Sequence, residues 1–542
     1  IAAVVLVLVL ALAYWWFHPA INIQSIDLWG FLIVILALVT FVLFVFRQIY
    51  QTGMGKREKS PKKVKLFSGL MAIPIAIAVI GAVGWLASQS FFPGNAEKYS
   101  TVLVTEDADF ATDIPEVNYS EIPFIDKDSA ILLGNRTMGT MADYVSQFEI
   151  SDLYSQINYK GQPVRVSPLN YADFFKWWAN KDGGIPAYVI VNMSTQDTEI
   201  VRLENPIRYS DSDPFFYNVD RHVQLSYPFY MFDEKSFEIN DDGEPFWIYP
   251  VQKRTIGLFG GTTIQRVVLC NASTGECQDF AIEDVPQWVD RAYPAELLIE
   301  QYNWSGALSG GWINSWLGQN GVKQTTPSTD GKSGFNYIAQ DDDVWVYSGV
   351  TSATADNSII GCVMINQRTA ESKFYSVAGA TEESAMRSAE GQVQHLQYDA
   401  TFPLLINVDG QPTYFMALKD AAGLVKMYAM VDIQRYQNVA VGDTLAATEK
   451  SYKQLLVSQG INVGGSDASA HPSAGSTSGT IASISPVDGN SHYYLILDGQ
   501  QAIFDCPVAS VVDVVRYKVG DVIVLNHGSS EGNVVLVDSI GE

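Results

Sequence analysis

Histidine and the residue patterns of enzyme active sites are scarce in this sequence. Six histidines occur among 542 residues, at positions 18, 222, 395, 471, 492 and 527. No H-E-x-x-H or C-x-x-C pair accompanies them, so the ligand spacing of a zinc site is missing. The chain also lacks G-x-S-x-G, the phosphate-binding G-x-x-x-x-G-K-S/T loop and G-x-G-x-x-G. We therefore predict no catalytic, cofactor-binding or metal-ligating residues, and we expect a protein that is not an enzyme.

Cysteine is equally rare, with four residues in the chain. Cys270 and Cys277 bracket the turn CNASTGEC between two apolar runs. With an even number of turn residues the two side chains would face one another across a hairpin and could form a disulfide. A three-residue loop ending in Gly275 would place them on opposite faces. Cys362 and Cys506 have no obvious partner, and we expect both to be buried, inert thiols.

Ionisable residues are missing from three long apolar runs, at 1–17, 31–46 and 66–87. Each is close to the roughly 20 residues that cross a bilayer, so we predict three transmembrane helices within residues 1–88. Without a charged residue in their cores, these helices offer no ion or proton path, and we expect a membrane anchor. A cleaved signal peptide is the alternative for the first run, but that run lacks a basic leader and an A-x-A site before the next span.

Small residues recur in the third apolar run, where Ala72 precedes Ala76 and Ala78 precedes Ala82. This spacing lets helices approach closely in lipid, which favours a homo-oligomer.

Basic residues are few, 34 against 59 acidic ones, which gives a net charge of −25. Seven of them lie in the loop 47–65, between the second and third runs. The loop between the first and second runs has none, so the basic loop is predicted to be cytoplasmic and everything after the third run extracellular. The remainder is strongly acidic, which excludes nucleic acid as an expected partner and leaves the lipid bilayer.

Three segments of the acidic remainder resemble one another: AYVIVNMSTQDTEIVRL (187–203), RVVLCNASTGECQDFAI (266–282) and GCVMINQRTAESKFYSV (361–377). Each has an apolar run, Asn, two further residues, Thr, and a second alternating run, which predicts a β-hairpin. A more divergent copy, 425–441, has Asp432 in place of Asn.

Two other elements recur with the hairpins. Turns followed by a strand precede them, at 159–169, 240–251, 340–350 and 407–418, and helix-like stretches follow at 283–302, 381–396 and 442–456. The region 159–456 is therefore predicted to hold four α+β repeats with insertions, after a leading segment at 89–158.

The strand, the N-A-S-T-G-E turn and the adjacent amphipathic helix resemble PepSY domains of bacterial membrane and secreted proteins. The second copy matches this motif, and the first and third keep Asn192 with Thr195 and Asn366 with Thr369. The resemblance implies regulation or inhibition of a peptidase, or a surface-sensing or structural role, and it implies no catalytic residue.

The last part of the chain begins with a Gly/Ser-rich linker at 457–479. Five short apolar segments follow at 480–542, which predicts a small all-β barrel. The stretch YKVGDVIVL (517–525) resembles OB-fold domains, with an SH3-like barrel as the alternative.

For three further features we favour a structural explanation over a functional one. Asp341–Asp343 is metal-like but reads as an acidic turn without EF-hand spacing. The aromatic stretches FFKWW (174–178) and WINSWL (312–317) are expected to be core or interface stripes. The sequons at Asn118, Asn135, Asn192, Asn271 and Asn303 matter only in a glycosylating organism.

These observations together predict a multi-domain membrane protein: three N-terminal helices, an α+β ectodomain of PepSY-like repeats, and a terminal barrel. The expected function is a membrane-anchored extracellular scaffold of the bacterial cell envelope, homo-oligomeric and with a possible envelope protein partner. The alternatives are a regulator of a secreted peptidase or cell-wall enzyme, and an enzyme of unrecognised type.

Overall fold

The fold is described from a computed structural model. The described residues are 2–52, 60–116, 122–141, 143–327, 334–340, 342–353, 358–459, 461, 475–487, 492–500, 502–507, 511–527 and 534–541. Asn118, Asp341 and most of the predicted linker lie outside them. The chain divides into two compact units, residues 1–455 and 456–542.

The chain begins with three apolar helices, Ala2–Phe17 (α1), Ile26–Thr52 (α2) and Pro61–Ala87 (α3). Of these, α2 and α3 have 27 residues each and are long and apolar enough to cross a membrane, while α1 has 16. Two membrane-spanning helices are thus supported where three are expected. The helices α2 and α3 pack on one another through stacked Phe46 and Phe67 rings, whose centroids lie 5.8 Å apart.

A leading segment connects α3 to the sheets. It contains Asn95–Ser100 (α4), Thr105–Ala108 (β1), Phe110–Asp113 (α5) and Lys127–Gly139 (α6). The carboxylate of Asp126 caps α6 by accepting a hydrogen bond from the Ser129 amide, at 2.9 Å. This cap fixes where α6 begins.

The first antiparallel sheet has five strands: Phe148–Ile150 (β2), Ser155–Tyr159 (β3), Gln162–Tyr171 (β4), Ile185–Asn192 (β5) and Thr198–Ile207 (β6). The helix Phe174–Asn180 (α7) joins β4 to β5, and Val219–Ser226 (α8) follows β6.

The second sheet is a meander of four strands: Ser236–Ile239 (β7), Pro245–Ile256 (β8), Gly260–Asn271 (β9) and Cys277–Ala281 (β10). A 3-10 turn at Ile282–Asp284 and the helix Ala295–Leu308 (α9) follow it. A helix was predicted from residue 283, but α9 begins only after Pro286 and Pro294, since proline cannot donate a helical hydrogen bond.

The third sheet follows a π-helical turn at Asn314–Gly318. The strands of this region are Lys323–Thr325 (β11), Asn336–Gln340 (β12), Asp343–Ser352 (β13), Ser358–Ile359 (β14), Gly361–Asn366 (β15), Ser372–Tyr375 (β16) and Gly379–Ala380 (β17). The strands β14 and β17 form a separate pair, and β1 joins the outer edge of the sheet, parallel to β16.

The fourth sheet follows the helix Glu382–Gln392 (α10). Its strands are Asp399–Ala400 (β18), Leu404–Val408 (β19), Gln411–Lys419 (β20), Val425–Asp432 (β21) and Val439–Gly442 (β22), and Leu445–Ser458 (α11) comes after it.

Each sheet contains a meander of four consecutive strands with the Asn- or Asp-led turn between its third and fourth strands. In the second sheet, Asn271 Oδ1 accepts the amides of Ser273 and Thr274 at 3.0 Å, and Gly275 has φ +75°. Asn192 and Asn366 bond the same two positions of their turns. The three turns therefore share one conformation.

Neighbouring sheets pack in chain order. The first meets the second where Tyr188 donates its hydroxyl hydrogen to the Gly243 carbonyl, at 3.1 Å. The second and third share a core that contains Leu269 and Val363, and the third and fourth share one that contains Tyr347 and Tyr414.

The fourth sheet returns to the first through the leading segment. Phe124 packs edge-on against Tyr428 of β21, with ring centroids 5.1 Å apart, and its amide bonds the Met193 carbonyl of the first sheet. Lys419 pairs with Asp126 at the start of α6. The four sheets thus close into a ring.

The second unit is a closed five-stranded barrel of Gly475–Val487 (β23), His492–Leu497 (β24), Ile503–Pro507 (β25), Val522–His527 (β26) and Val534–Gly541 (β27). The strand order around it is β23-β24-β25-β27-β26, and β25 runs parallel to β27. The linker was predicted to continue to 479, but 475–479 pair with β26 and belong to the barrel. Their Gly/Ser composition concealed this strand.

Candidate ligand-binding site

A partly open cavity of about 430 Å³ lies within the ring. The first, third and fourth sheets, the leading segment and residues that flank the second sheet contribute to its wall. Among its lining residues are Asp126, Gln156, Arg165, Arg291, Tyr337 and Phe415. A cavity of this size with a few polar groups is the usual form of a small-ligand site.

Arg165 projects from β4 and is 5% exposed. Its Nη2 donates to Gln156 Oε1 at 3.2 Å, and its Nε donates to the Ile125 carbonyl at 3.4 Å. Both acceptors are neutral, and burial lowers the pKa of the guanidinium. Gln156 is itself buried and leaves Nε2 without a hydrogen-bond partner in the described part of the chain.

Arg291 lies between β10 and α9 and borders the same cavity. Its backbone amide donates to Glu238 Oε1 at 3.2 Å, but its Nε has no partner within the described ranges. Burial lowers its pKa, while Tyr337 and the carboxylates of Glu238, Glu234 and Glu296 raise it, and the net shift is upward. Each of the two arginines lacks a carboxylate ion-pair partner among the described residues.

Two guanidinium groups on one cavity wall, neither in an ion pair with a carboxylate of the described residues, offer hydrogen-bond donors to an anion, and the same wall carries Asp126, Asp128, Glu234 and Glu296. Arginine donors match the geometry of carboxylate and phosphate groups. An unpaired buried charge is costly, and an anionic ligand would remove that cost. Sequence reasoning missed both residues. The only available signal was a charged residue inside the apolar strand PVRVSPL.

Behind the cavity, two buried carboxyl groups hold the second sheet to its neighbours. Glu238 accepts hydrogen bonds from the amide of Asp290, at 2.9 Å, and from Ser236 Oγ, at 2.8 Å. Asp290 Oδ2 accepts from the Asn158 amide of the first sheet, at 2.7 Å. Burial raises the pKa of both carboxyl groups, and for Asp290 the charge of Glu238 raises it further.

Cys270 and Cys277 lie directly opposite one another on β9 and β10, which is the even-numbered alternative of the sequence analysis. His222 of α8 joins them, and one ligand atom from each of the three residues lies within 4.8 Å of the others. The group could hold a soft metal ion, a possibility that sequence spacing did not suggest because His222 is remote in the chain. Cys362 and Cys506 are buried, as expected, and burial raises the pKa of each thiol.

The two described residues of the acidic stretch at 341–343 both have structural roles. Asp342 occupies a left-handed turn position, with φ +63°. Asp343 accepts two hydrogen bonds from Arg368, at 2.7 and 2.8 Å, and one from Asn366 Nδ2, at 2.7 Å. These partners occupy its oxygens, as the acidic-turn interpretation anticipates.

The two aromatic stretches differ from each other. In the first, Trp177 is buried and donates to Asp213 Oδ2 at 2.7 Å, whereas its neighbours are exposed. In the second, Trp312 and Trp316 stack with centroids 6.3 Å apart, and Trp316 is 68% exposed. Phe91, just beyond the end of α3, contacts Trp312 with centroids 6.0 Å apart. The second stretch is therefore a surface patch beside a membrane-helix end, not core.

Of the four sequons in the described part of the chain, Asn192 and Asn271 serve the turns, and Asn135 lies in α6. Asn303 lies in α9 and accepts the Thr325 amide of β11, at 2.8 Å. Three of the four are explained by structure alone.

The fold and the site define a membrane-associated, β-rich protein with a polar cavity. No protein-family model and no curated protein matches the chain. Among solved structures, it is similar to a mutant of Synechocystis apocarotenoid oxygenase, with 9% identity over 73% of this chain and 66% of that chain and a TM-score of 0.15. It thus spans slightly less than two thirds of that enzyme. A B. megaterium levansucrase mutant aligns with 9% identity over 81% of this chain and 97% of that chain, at a TM-score of 0.16. These likenesses are too weak to carry an argument.

Proposed function

We propose that this chain is a membrane-anchored, extracellular interaction protein without enzymatic activity, and that its central cavity binds an anionic group of a ligand or partner. The observation that carries the proposal is the pair Arg165 and Arg291, two guanidinium groups on the wall of one cavity without a carboxylate ion-pair partner in the described ranges. A carboxylate or phosphate group would supply the missing counter-charge.

The proposed topology has three spanning helices, the basic loop 47–65 in the cytoplasm and the sheets outside. The asymmetry of Lys and Arg between the two short loops supports this orientation. The exposed patch around Trp312 also supports it, since aromatic side chains concentrate at membrane interfaces.

The repeats are proposed to be PepSY-like, and the terminal barrel OB-like. The shared conformation of the Asn-led turns supports the first proposal. The second rests on the YKVGDVIVL resemblance and on the non-sequential strand order of a five-stranded barrel.

Self-association through α3 completes the proposed function. Ala72, Ala76, Ala78 and Ala82 are exposed, but the two pairs lie about 120° apart around α3, and Ala78 borders the groove between α3 and α2. A second copy could approach the Ala72/Ala76 side closely in lipid.

One preparation tests these proposals together. The full-length protein, purified in mild detergent with co-purifying species retained, is weighed by native mass spectrometry. Thermal unfolding is then followed with inorganic phosphate or succinate added. We expect a homomer several times 59.7 kDa and an unfolding midpoint that rises with at least one anion. Arg291→Gln should weaken the apparent affinity at least tenfold, because a charged hydrogen bond is lost.

Arg291→Gln is the primary variant because its guanidinium makes no hydrogen bond in the described structure, so folding should be preserved. Arg387→Gln is the matched control, since Arg387 is an exposed residue of α10 that pairs with Glu383. An anion response that survives Arg291→Gln, or its absence with both probes, would refute the cavity proposal. A one-to-one complex with a peptidase would instead support the regulator alternative.

A further inference from the structure

The paired cysteines of the second sheet have the geometry of a disulfide that can form and open. The Asn271 amide bonds the Glu276 carbonyl at 2.9 Å, so Cys270 and Cys277, the next pair along, form a non-hydrogen-bonded pair. Cα atoms of such pairs lie about 4.5 Å apart, within the roughly 4.4–6.8 Å range of disulfides. No movement of the strands is needed to join the two sulfurs.

The turn itself does not need this disulfide. At the equivalent positions, the first sheet pairs Val191 with Thr198, and the third pairs Ile365 with Ser372. Both turns keep the same Asn-led hydrogen bonds. A purely structural staple is therefore unnecessary at this position.

The two thiols differ in access. Cys270 is fully buried, whereas Cys277 is partly exposed. Only Cys277 can be approached by a sulfur of another molecule, while Cys270 can reach only Cys277. This is the arrangement of an attacking and a resolving thiol.

His222 supplies a base beside the pair. Its Nε2 lies 2.8 Å from the Gly275 carbonyl, and its ring packs on Tyr209 with centroids 4.3 Å apart, so its orientation is fixed. One ligand atom of His222 lies within 4.8 Å of both cysteine sulfurs, so the imidazole stands next to both thiols.

We propose that Cys270 and Cys277 form a thiol–disulfide exchange site, with Cys277 as the attacking thiol, Cys270 as the resolving thiol and His222 as the positioning base. The oxidant is a disulfide of a small molecule or of a partner protein. His222 takes the proton of Cys277, whose sulfur attacks one sulfur of that disulfide; the S–S bond breaks, and the first thiolate leaves and takes the proton from His222. His222 then takes the proton of Cys270, whose sulfur attacks Cys277 Sγ, and the second thiolate leaves with that proton. The partner is reduced by two electrons to two thiols, and the cysteine pair is oxidised.

The test uses the full-length protein in detergent and glutathione as the probe. The protein is equilibrated over a series of ratios of reduced to oxidised glutathione, quenched with acid, alkylated and weighed by mass spectrometry. We expect the Cys270–Cys277 disulfide to convert reversibly within the series. Cys270→Ser should accumulate a stable glutathione adduct on Cys277, Cys277→Ser should form none at residue 270, and His222→Gln should slow adduct formation about tenfold.

The double variant Cys270→Val/Cys277→Thr reproduces the pair of the first sheet and serves as a folded, unreactive control. Cys362→Ser, at a buried thiol outside the group, should leave the exchange unchanged. A pair that stays oxidised at every ratio would mean a structural staple, and one that stays reduced would mean inert thiols. Stoichiometric zinc that co-purifies and blocks both thiols would mean a metal centre. Each of these three results would overturn the proposal.

Discussion

Two buried carboxyl groups should make the stability of this protein depend on pH. Glu238 and Asp290 are both buried, and the pKa of each is raised. A raised carboxyl pKa means that the folded state holds its proton more tightly than the unfolded state. The resulting stabilisation is complete below the ordinary carboxyl range near pH 4 and is lost as pH rises through the raised values.

Asp290→Asn should therefore stabilise the protein at high pH. Asparagine keeps an oxygen for the Asn158 amide and places its NH₂ group where Asp290 Oδ1 has no partner. Removing the second charge should raise the free energy of unfolding at pH 8 by about 1 kcal/mol and flatten its pH dependence. Urea unfolding at pH 5 and pH 8 measures this.

Asp284→Asn is the control. Asp284 is exposed, so removing its charge should not change how the free energy of unfolding depends on pH. If Asp290→Asn lowers stability at pH 8 as much as at pH 5, the carboxyl pair does not carry the pH dependence.

At the scale of residues, the sequence predicted the roles that depend on neighbouring residues. It missed the contacts made between segments that are distant in the chain. The role of Asn271 follows from its own turn, so the motif was sufficient. Arg165 and Arg291 acquire their character from a cavity whose walls come from segments far apart in the chain. His222 meets Cys277 only because α8 folds back onto the second sheet. Neither the arginine cavity nor the contact between His222 and Cys277 produces a pattern in the nearby sequence.

Among the elements, the recurring turn shows how one conformation tolerates different residues. Gly275 has φ +75°, and the same position is Gln196 in the first sheet and Ala370 in the third, with φ +69° and +60°. A left-handed conformation costs a residue with a Cβ atom roughly 1–2 kcal/mol. The second turn avoids this strain, and the other two retain it.

Ala370→Gly should relieve that strain in the third sheet. We expect a gain of about 0.5–1 kcal/mol in the free energy of unfolding, since glycine also loses more chain entropy on folding. Denaturant unfolding of the full chain measures it.

Two control substitutions show whether the change in stability on Ala370→Gly comes from the backbone conformation. Ala447→Gly, in helix α11, should destabilise the protein, because glycine is unfavourable in a helix. Gly275→Ala should also destabilise, since its Cβ atom would collide with the ring of Tyr209. A loss of stability on Ala370→Gly would show that the methyl group's packing outweighs the backbone strain.

The elements were predicted best where they repeat. Period-two patterns and turn residues placed the hairpins, and the apolar runs placed α2 and α3. Boundaries set by tertiary pairing were not visible: 475–479 look like linker until β26 pairs with them. The helix α9 starts later than its composition suggests, after Pro294.

On the scale of the whole molecule, aromatic side chains gather near the end of the apolar helix α3. The side chain of Ser88, next to the end of α3, accepts the amides of Leu258 and Phe259 at 2.9 and 3.0 Å, which fixes the β8–β9 turn to that end. The patch at Trp312–Leu317 lies beside Phe91. We expect this face to rest at headgroup level.

Brominated lipids test this placement. In vesicles of such lipids, the fluorescence of the full-length protein should be quenched, and Trp312→Phe/Trp316→Phe should lose a measurable part of the quenching. Trp178→Phe removes an equally exposed indole on α7, and it serves as the comparison. Equal quenching losses for Trp178 and for the Trp312/Trp316 pair would contradict a headgroup position that is specific to the patch.

The four repeats were predictable, but their closure into a ring was not. Self-similarity identifies units and says nothing about which surfaces meet. Closure depends on Phe124 and α6, which precede the first repeat and belong to no repeat. Their contacts with β21 and Lys419 join parts of the chain that no periodicity connects.

That closure also has a consequence in time. Asp126 and Lys419 are 293 residues apart, and at about 5–20 residues per second the ribosome needs roughly 15–60 s to supply the second after the first. During that interval, α6 and the first sheet keep a face uncovered while the second and third sheets assemble beside them. The cavity is therefore completed late in the synthesis of the first unit, and a nascent chain cannot bind the proposed anion there until the fourth sheet has been made.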